Sequence, residues 1–247
     1  MKLGTIILVV LILGISAFAQ RRHVTVFIAG DSTAAMKLPE KRPETGWGEM
    51  LQQHFDAKKV VVDDRAQNGR STKTFISEGR WQAIVDAVNP GDFVFVEFGH
   101  NDESKDKGER YTPPDDFRKN LVRFVADVRA KKGNIVLMTP VARRKFDKDG
   151  KLVNTHGEYP DIVRGVAKQE RVPLIDMLQK TQDLLTHYGP EGSRSLFLQL
   201  KPGENPNYPK GIEDNTHYNP TGATEAAKLV VDGIREQKLA IRKYLKK

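Results

Sequence analysis

The sequence contains no cysteine in its 247 residues, so disulfide bonds are excluded. Because no cross-link can hold the fold together, its stability must come from a buried apolar core. The length suits one well-filled α/β domain and is short for two. Since no internal repeat or shift in composition divides the chain, we expect a single domain after any leader segment.

Long apolar runs are also absent, except near the amino terminus. Residues 1–19 combine one lysine, an apolar run from about Ile6 to Leu13 and the small-x-small ending Ala17-Phe18-Ala19. This pattern predicts a secretory signal peptide that is cleaved after its last alanine. A membrane anchor is the alternative, but the run is short beside the roughly 20 apolar residues of a spanning helix. We therefore expect residues 20–247 to be exported to the periplasm or the extracellular space, without stable membrane insertion.

Acidic side chains are scarcer than basic ones. The chain has 32 Asp and Glu against 40 Lys and Arg, a formal net charge of +8. A basic protein favours polyanionic partners, and outside the cytoplasm this favours an acidic polysaccharide or envelope polymer over nucleic acid. The basic residues 234–247 also have a simpler interpretation as a solvated helix end.

Apolar, β-branched runs alternate with amphipathic stretches along the rest of the chain. This alternation predicts right-handed crossovers and a mostly parallel sheet that is covered on both faces. We predict a three-layer α/β/α fold with five parallel strands in the flavodoxin-like order 2-1-3-4-5. The predicted strands are residues 23–30, 60–66, 92–99, 134–141 and 172–177. The predicted helices are residues 46–55, 79–88, 114–133, 159–170 and 220–239.

Two segments interrupt this alternation. Residues 145–154 place Asp-Gly between short alternating segments, which predicts a surface hairpin after the fourth strand. Residues 189–213 are rich in Gly, Pro and Asn and predict a long loop. Loops of that length in a compact domain are usually functional or disordered.

Small polar residues follow three of the predicted strands. They form the runs Gly30-Asp31-Ser32, Gln67-Asn68-Gly69-Arg70 and Gly99-His100-Asn101-Asp102. Carboxyl ends of parallel strands meet at one edge of a sheet, where open α/β folds bind their ligands. Ser32 is therefore a candidate nucleophile. The alternative is structural: Gly30 makes a turn and Asp31 or Ser32 caps the following segment.

A serine nucleophile needs a base and a group that orients the base. Asp214 and His217 are three residues apart just before the last helix, which can carry them back to the same edge. We predict that Ser32 attacks an acyl carbon while His217 transfers its proton and Asp214 orients the imidazole. Asp214 could instead be a capping carboxylate.

The tetrahedral intermediate of such a reaction needs hydrogen-bond donors for its oxyanion. The backbone N–H groups of Ser32 and Gly69 and the side-chain amide of Asn101 are the candidates. Structural alternatives remain, since Gly69 could be an ordinary turn glycine and Asn101-Asp102 a turn with a capping role.

These motifs resemble the four sequence blocks of the SGNH hydrolases, the GDSL-type esterase superfamily. The blocks occur in order and are carried by Ser32, Gly69, Asn101 and His217. Within that superfamily the chain resembles rhamnogalacturonan acetylesterases, which remove acetyl groups from pectic rhamnogalacturonan without a metal. The second resemblance rests on the runs Gly30-Asp31-Ser32-Thr33, Gly46-Trp47-Gly48, Gln67-Asn68-Gly69-Arg70-Ser71, Thr139-Pro140-Val141-Ala142-Arg143-Arg144 and Asp214-Asn215-Thr216-His217. It implies the SGNH hydrolase fold, no cofactor and the catalytic roles assigned above.

Four further residues are candidates for substrate binding. Arg143 and Arg144 follow the fourth strand and could hold a galacturonate carboxylate through a planar guanidinium group, or could be solvated loop residues. Trp47 and Trp81 could stack on sugar rings, or could belong to the core. The other five histidines share no metal-ligand spacing, so we predict no metal site. The alternatives to a carbohydrate esterase are an acetylesterase for another polysaccharide such as xylan, another acyl hydrolase such as a lipase-like esterase or thioesterase, a zinc-dependent deacetylase, and a non-catalytic polysaccharide-binding protein.

Overall fold

A five-stranded parallel sheet in the order β2-β1-β3-β4-β5 forms the centre of the protein. The computed structural model describes residues 23–246, so the predicted signal peptide lies outside the described residues. The strands are β1 (Val24–Gly30), β2 (Val60–Asp64), β3 (Phe93–Glu97), β4 (Asn134–Met138) and β5 (Leu174–Ile175), with an antiparallel pair β6 (Phe197–Leu200) and β7 (Ile212–Tyr218) beside them. The predicted strand order and fold class are confirmed.

Helices cover both faces of this sheet. They are α1 (Trp47–Leu51), α2 (Thr72–Ser77), α3 (Arg80–Ala87), α4 (Pro114–Ala130), α5 (Tyr159–Glu170), α6 (Met177–Gly192) and α7 (Pro220–Glu236). In β1, Val26 and Ile28 face a core shared with α1, α6 and α7, while Phe27 and Ala29 face a core shared with α2 to α5. Strand residues thus alternate between two apolar cores, which explains why the strands read as continuous apolar runs.

The parallel register brings the polar ends of three strands together. β1 pairs with β2 on one side and with β3 on the other, so Gly30, Asp64 and Glu97 end neighbouring strands at one edge. The segments that follow these strands carry Ser32, Gly69 and Asn101. The prediction that they share one edge is confirmed.

Of the two segments predicted to interrupt the regular elements, one has the predicted structure and the other does not. Residues 145–154 form the predicted hairpin, with an antiparallel bridge from Phe146 to Leu152. Residues 189–213 were wrongly predicted as one long loop. They contain the end of α6, a 3-10 turn at Ser193–Leu196, strand β6 and the start of β7. The polar, Gly- and Pro-rich composition around residues 201–211 hid the short strand pair on either side.

Within residues 23–246, no helix is both long enough and apolar enough to cross a membrane.

Candidate active site

Ser32 lies in a tight turn directly after β1. The backbone N–H of Ala35 donates to the Asp31 carbonyl at 3.0 Å, which bends the chain at the sheet edge. The Ser32 hydroxyl oxygen Oγ lies 2.8 Å from Nε2 of His217. A serine in this position can pass its proton to the imidazole as it attacks a carbonyl carbon.

Asp214 holds the other side of the His217 ring. Its Oδ2 lies 2.7 Å from Nδ1 of His217, and its Oδ1 accepts the backbone N–H groups of Thr216 and His217 at 2.7 and 2.9 Å. Burial raises the pKa of Asp214, but the hydrogen bonds and charge of His217 outweigh burial and hold that pKa below its usual value. An ionised Asp214 fixes the ring proton on Nδ1 and leaves Nε2 free to accept the Ser32 proton.

A bulge in β7 aims Asp214 and His217 at the sheet edge. Between the pairs Phe197–Tyr218 and Gln199–Glu213, the ladder advances two positions along β6 and five along β7. Residues 214–217 thus lie opposite Leu198 alone, an excess of three residues that bends this segment out of the ladder. Bulges of this kind often lie beside active sites because they redirect side chains. The sequence placed this segment on a loop, since its polar residues lack the apolar alternation of a strand.

Arg144 braces this bulge and does not line the catalytic pocket. Its backbone N–H donates to the Asn215 carbonyl and its Nη1 donates to Asn215 Oδ1, both at 2.8 Å. The same guanidinium also bonds to Ser193 Oγ and to the Pro190 carbonyl. With its donors directed at the protein, Arg144 is placed to hold residues 214–217, and substrate binding by Arg144 stays a prediction.

The three expected oxyanion donors line one pocket with the serine and the histidine. Gly69 has a φ of +75°, a left-handed conformation that glycine adopts without strain. Asn101 is 5 % exposed, and its Nδ2 donates one proton to the Arg70 carbonyl at 3.1 Å, which fixes the orientation of the amide. The second Nδ2 proton has no acceptor in the part of the chain that the structure describes. Ser32, Gly69 and Asn101 are thus brought together as the sequence predicted, and their role as donors belongs to the proposal below.

Asp102, next to Asn101, ties this loop to α2. Its Oδ1 accepts the backbone N–H and the hydroxyl of Thr72 at 2.9 and 2.6 Å. Burial raises the pKa of Asp102 to about 7. Asp102 is therefore a structural residue, and it joins the loops that carry Asn101 and Gly69.

The pocket has a volume of about 380 Å³. Its lining is strongly polar and mostly basic or neutral. It comprises Ser32, Lys41, Glu44, Asn68, Gly69, His100, Asn101, Lys107, Arg110, Arg143, Thr216 and His217.

Three cations of this pocket have no partner among residues 23–246. The side chains of Lys41, Lys107 and Arg110 form no hydrogen bond or ion pair with another described residue. Lys107 and Arg110 lie in a 3-10 segment, Lys105–Arg110, and line an adjoining pocket as well. Arg110 packs against Gly69, since a Cβ on that glycine would stand 3.2 Å from its guanidinium carbon. Sequence reasoning missed all three cations, because they lie in polar segments without a motif.

Arg143 reaches the pocket but its charge is already compensated. It forms an ion pair with Glu103 and donates to the carbonyls of Thr155 and His100 at 3.1 and 3.2 Å. Glu103 also bonds to Nδ1 of the buried His156 at 2.8 Å. Arg143 is thus better placed to organise the pocket wall than to bind a substrate carboxylate.

Both tryptophans are buried, so neither offers a face to a sugar ring. Trp47 is 0 % exposed and donates its Nε1–H to Glu97 Oε2 at 2.7 Å. Trp81 is 1 % exposed, stacks on Phe124 at a centroid distance of 3.9 Å and donates to Asp127 at 2.8 Å. The expectation of stacking platforms was wrong, and the core alternative is confirmed.

A buried polar network lies beneath the nucleophile. Glu97 accepts the indole N–H of Trp47, the hydroxyl of Thr33 and the backbone N–H of Val141. Burial, and then the neighbouring Asp31 carboxyl, raise the pKa of Glu97 to about 8. Burial likewise raises the pKa of Asp31. This network anchors the turn of Ser32 to β3 and to the loop after β4.

No group of three or more His, Asp or Glu side chains within residues 23–246 has a geometry that could hold a metal ion.

Comparison with known proteins identifies the family. The profile of the GDSL-like Lipase/Acylhydrolase family matches residues 28–224, a range that includes every residue of the site described above. The chain belongs to this family. GDSL-like acylhydrolases are carboxylic ester hydrolases, so the protein is an enzyme of that class.

Relatives within the GDSL-like acylhydrolases are similar over most of their length. The chain is 44 % identical over 225 residues to rhamnogalacturonan acetylesterase RhgT of Bacillus subtilis (strain 168), covering 91 % of this chain and 95 % of RhgT. It is 38 % identical over 212 residues to the probable rhamnogalacturonan acetylesterase YesY of the same organism, covering 85 % and 92 % of the two chains.

A solved structure with the same fold is Axe2, an acetylxylan esterase from Geobacillus stearothermophilus. It matches with a TM-score of 0.61 at 18 % identity, over 88 % of this chain and 95 % of Axe2. At that identity the likeness concerns the fold alone.

Proposed function

We propose that this protein is an exported carbohydrate acetylesterase that removes acetyl groups from pectic rhamnogalacturonan through an acyl-enzyme on Ser32. One observation carries the chemistry: the hydrogen-bond chain from Ser32 Oγ to Nε2 of His217, and from Nδ1 of His217 to Asp214. The choice of an acetyl group and of a pectic polymer is supported by RhgT and YesY, whose names describe this activity. This chain is similar to both proteins over nearly their whole length.

In the first half of the reaction, Ser32 Oγ forms a bond to the acetyl carbonyl carbon as its proton passes to His217 Nε2. The carbonyl oxygen becomes an oxyanion and accepts hydrogen bonds from the N–H groups of Ser32 and Gly69 and from the Asn101 amide. The intermediate collapses, the ester C–O bond breaks, and His217 returns the proton to the leaving sugar oxygen. In the second half, water loses a proton to His217 and attacks the acetyl-serine, which releases acetate and regenerates Ser32.

The charge of the pocket supports an acidic substrate. Lys41, Lys107 and Arg110 carry positive charges without partners among the described residues, whereas the pocket carboxylate of Glu44 is paired with Lys37 at 2.9 Å. A carboxylate on the substrate would gain charge-assisted hydrogen bonds from these cations. This arrangement favours galacturonate-containing polymers over neutral ones such as xylan.

Export belongs to the proposal on the strength of residues 1–19 alone. Expression of the full chain in a bacterial host, followed by mass measurement of the exported form, tests it. We expect a mature chain that begins at Gln20. A cell-associated chain that retains Met1 to Ala19 would contradict export.

The main test is acetate release from acetylated rhamnogalacturonan, acetylated xylan and a small aryl acetate, with wild type and Ser32→Ala compared. We expect the fastest release from rhamnogalacturonan and loss of release from all three in the variant. Faster release from xylan would move the assignment to an acetylxylan esterase. Full activity of Ser32→Ala would contradict the mechanism.

A second test addresses the substrate charge. In Lys107→Met/Arg110→Met we expect kcat/KM on the acidic polymer, divided by kcat/KM on xylan, to fall by about tenfold or more. The reason is that the loss of one charge-assisted hydrogen bond lowers kcat/KM by about tenfold. The matched control, Lys58→Met/Lys131→Met, removes two exposed cations that precede β2 and β4 at the opposite sheet edge. An equal fall in both double variants would indicate general attraction between charges and contradict local recognition.

A further inference from the structure

Lys37 is a buried lysine between the nucleophile turn and α1. Its side chain is 0 % exposed, although a free lysine strongly prefers water. Burying an ammonium group is costly unless its charge is paired and its three N–H donors are satisfied. A lysine in this position therefore needs specific partners.

Three acceptors surround the Lys37 ammonium. Nζ donates to the Ser32 carbonyl oxygen and to Asn68 Oδ1 at 2.7 Å, and it forms an ion pair with Glu44 Oε1 at 2.9 Å. The first two acceptors belong to different loops, one after β1 and one after β2.

These two loops carry two of the three expected oxyanion donors. Ser32 supplies its own backbone N–H, and Asn68 directly precedes Gly69, which supplies the next. An oxyanion hole works only if its donors are held at the right separation before the charge develops. The only side chain among residues 23–246 that bonds to both the Ser32 carbonyl and the Asn68 amide is that of Lys37.

We propose that Lys37 is a positioning residue of the oxyanion hole, which ties the Ser32 turn to the Asn68–Gly69 turn through its buried ammonium. It touches neither the substrate nor the reacting atoms. This inference rests on the serine mechanism proposed above, but it assigns a role to a residue outside the catalytic triad and the donors themselves.

Glu44 completes the arrangement from the pocket side. Its Oε1 forms an ion pair with Nζ of Lys37 and lies 4.0 Å from Nε2 of His217. Pairing with Lys37 compensates a carboxylate that stands close to the catalytic base. Glu44 therefore supplies the negative charge that offsets the cost of burying the Lys37 ammonium. The contacts with Ser32 and Asn68 position the two turns relative to each other.

The test is steady-state kinetics of Lys37→Met on a small aryl acetate, with the folded state checked by circular dichroism and urea unfolding. Methionine keeps the length of the side chain and removes its donors. We expect kcat to fall by about 10- to 100-fold, less than the full loss of an oxyanion donor, with KM changed less than about threefold. A folded variant with kcat within about twofold of wild type would overturn the proposal.

A double-mutant cycle separates positioning from general damage. If Lys37 acts through Asn68, then Asn68→Ala lowers kcat too, and Lys37→Met/Asn68→Ala is no worse than Lys37→Met alone. If the losses of kcat in the two single variants multiply in the double variant, the shared role is overturned. Asn68→Ala leaves the Lys37–Glu44 pair intact, so an unchanged kcat in this variant overturns the proposal even if Lys37→Met does not fold.

Glu44→Gln is the matched charge control. It keeps an acceptor for Lys37 but removes the negative charge, so we expect a clearly smaller loss of kcat than in Lys37→Met. A loss as large as that of Lys37→Met would assign the effect to the ion pair and overturn positioning. Ser32→Ala in the same assay distinguishes the two failures: if it is active, the serine mechanism fails, and if it is inactive while Lys37→Met is unimpaired, only this inference fails.

Discussion

Ser32 and His217 are 185 residues apart in the chain, yet Oγ of the serine lies 2.8 Å from Nε2 of the histidine. The parallel sheet brings Ser32 to its carboxyl edge, and the β7 bulge brings His217 back to the same point. Asp214, in the same bulge, holds the outer ring nitrogen at 2.7 Å. The reactive geometry therefore depends on a short irregular segment fixed by Arg144 and Gln199.

For catalysis, the negative charge of the Asp214 carboxylate should matter more than the shape of the side chain. In Asp214→Asn the amide can still bond to His217 but favours the wrong ring tautomer, so we expect kcat to fall roughly a thousandfold or more. Glu213→Gln is the control, because Glu213 is a neighbouring, exposed carboxylate whose ion pair within residues 23–246 is with Arg194 alone. Aryl acetate hydrolysis measures both variants, and equal effects would contradict the role of Asp214.

Gly69 and Gly79 form a matched pair of left-handed glycines. Their φ angles are +75° and +72°, but a Cβ on Gly79 meets nothing within 4 Å, whereas one on Gly69 meets Arg110 at 3.2 Å. Alanine at either position should cost about 1 kcal/mol of unfolding free energy from the backbone conformation. Only Gly69→Ala should also lower kcat, since its N–H is an expected oxyanion donor. An equal loss of kcat in both variants would contradict that role.

The two tryptophans should affect stability rather than substrate affinity. Trp47→Phe removes one of the three donors to the fully buried Glu97, which leaves Thr33 and Val141. Trp81→Phe removes a donor from Asp127, which is 32 % exposed and accessible to water. We expect Trp47→Phe to cost about 1–3 kcal/mol and Trp81→Phe less. Urea unfolding measures these losses. A rise in KM on the polymer in a stably folded variant would instead support sugar stacking.

Four buried carboxyls should make the protein less stable as pH rises. Burial raises the pKa of Asp64 and Asp102 to about 7 and that of Glu97 to about 8, and it raises the pKa of Asp31 as well. Their usual values are 3.8 for Asp and 4.5 for Glu, so between these values and 7–8 the folded chain holds more protons than the unfolded chain. Their contribution to the free energy of unfolding is complete below the usual pKa values and is lost as pH rises through 7–8.

Urea unfolding at about pH 5 and pH 8 tests this expectation, with Asp102→Asn as the diagnostic variant. Asparagine keeps the oxygen that accepts from Thr72 and places an amide nitrogen at Oδ2, which has no partner among the described residues. The loss of stability between the two pH values should be smaller in this variant. A loss identical to wild type would show that Asp102 does not titrate in this range.

The sheet and its order could be predicted because parallel strands buried on both faces must be continuously apolar. This signal located β1 to β4 to within a few residues, but it overextended β5, which is only Leu174–Ile175. It missed α2, a helix of six residues, and α6 (Met177–Gly192), where no helix was predicted. It also missed β6 and β7, whose pairing depends on contacts distant in the chain. Short elements that are stabilised by tertiary contacts leave little local pattern.

The triad and oxyanion residues could be named from the sequence because each follows a strand or lies in a recognisable motif. The substrate-binding residues could not, because their roles depend on which charges find partners. Arg143 and Arg144 are engaged by Glu103 and Asn215, whereas Lys107 and Arg110, in a segment without a motif, have no partners among residues 23–246. Ion pairing between distant loops is not visible in the order of residues.

The most direct test of the mechanism is to acid-quench the enzyme during turnover of an aryl acetate and measure the mass of the peptide that contains Ser32. Acetyl-serine accumulates only when deacylation is slower than acylation, so the same measurement is also made on Asp214→Asn. The account predicts one acetyl group on Ser32 and none on that peptide in Ser32→Ala, which also releases no acetate. Wild-type rates of acetate release by Ser32→Ala would contradict the account.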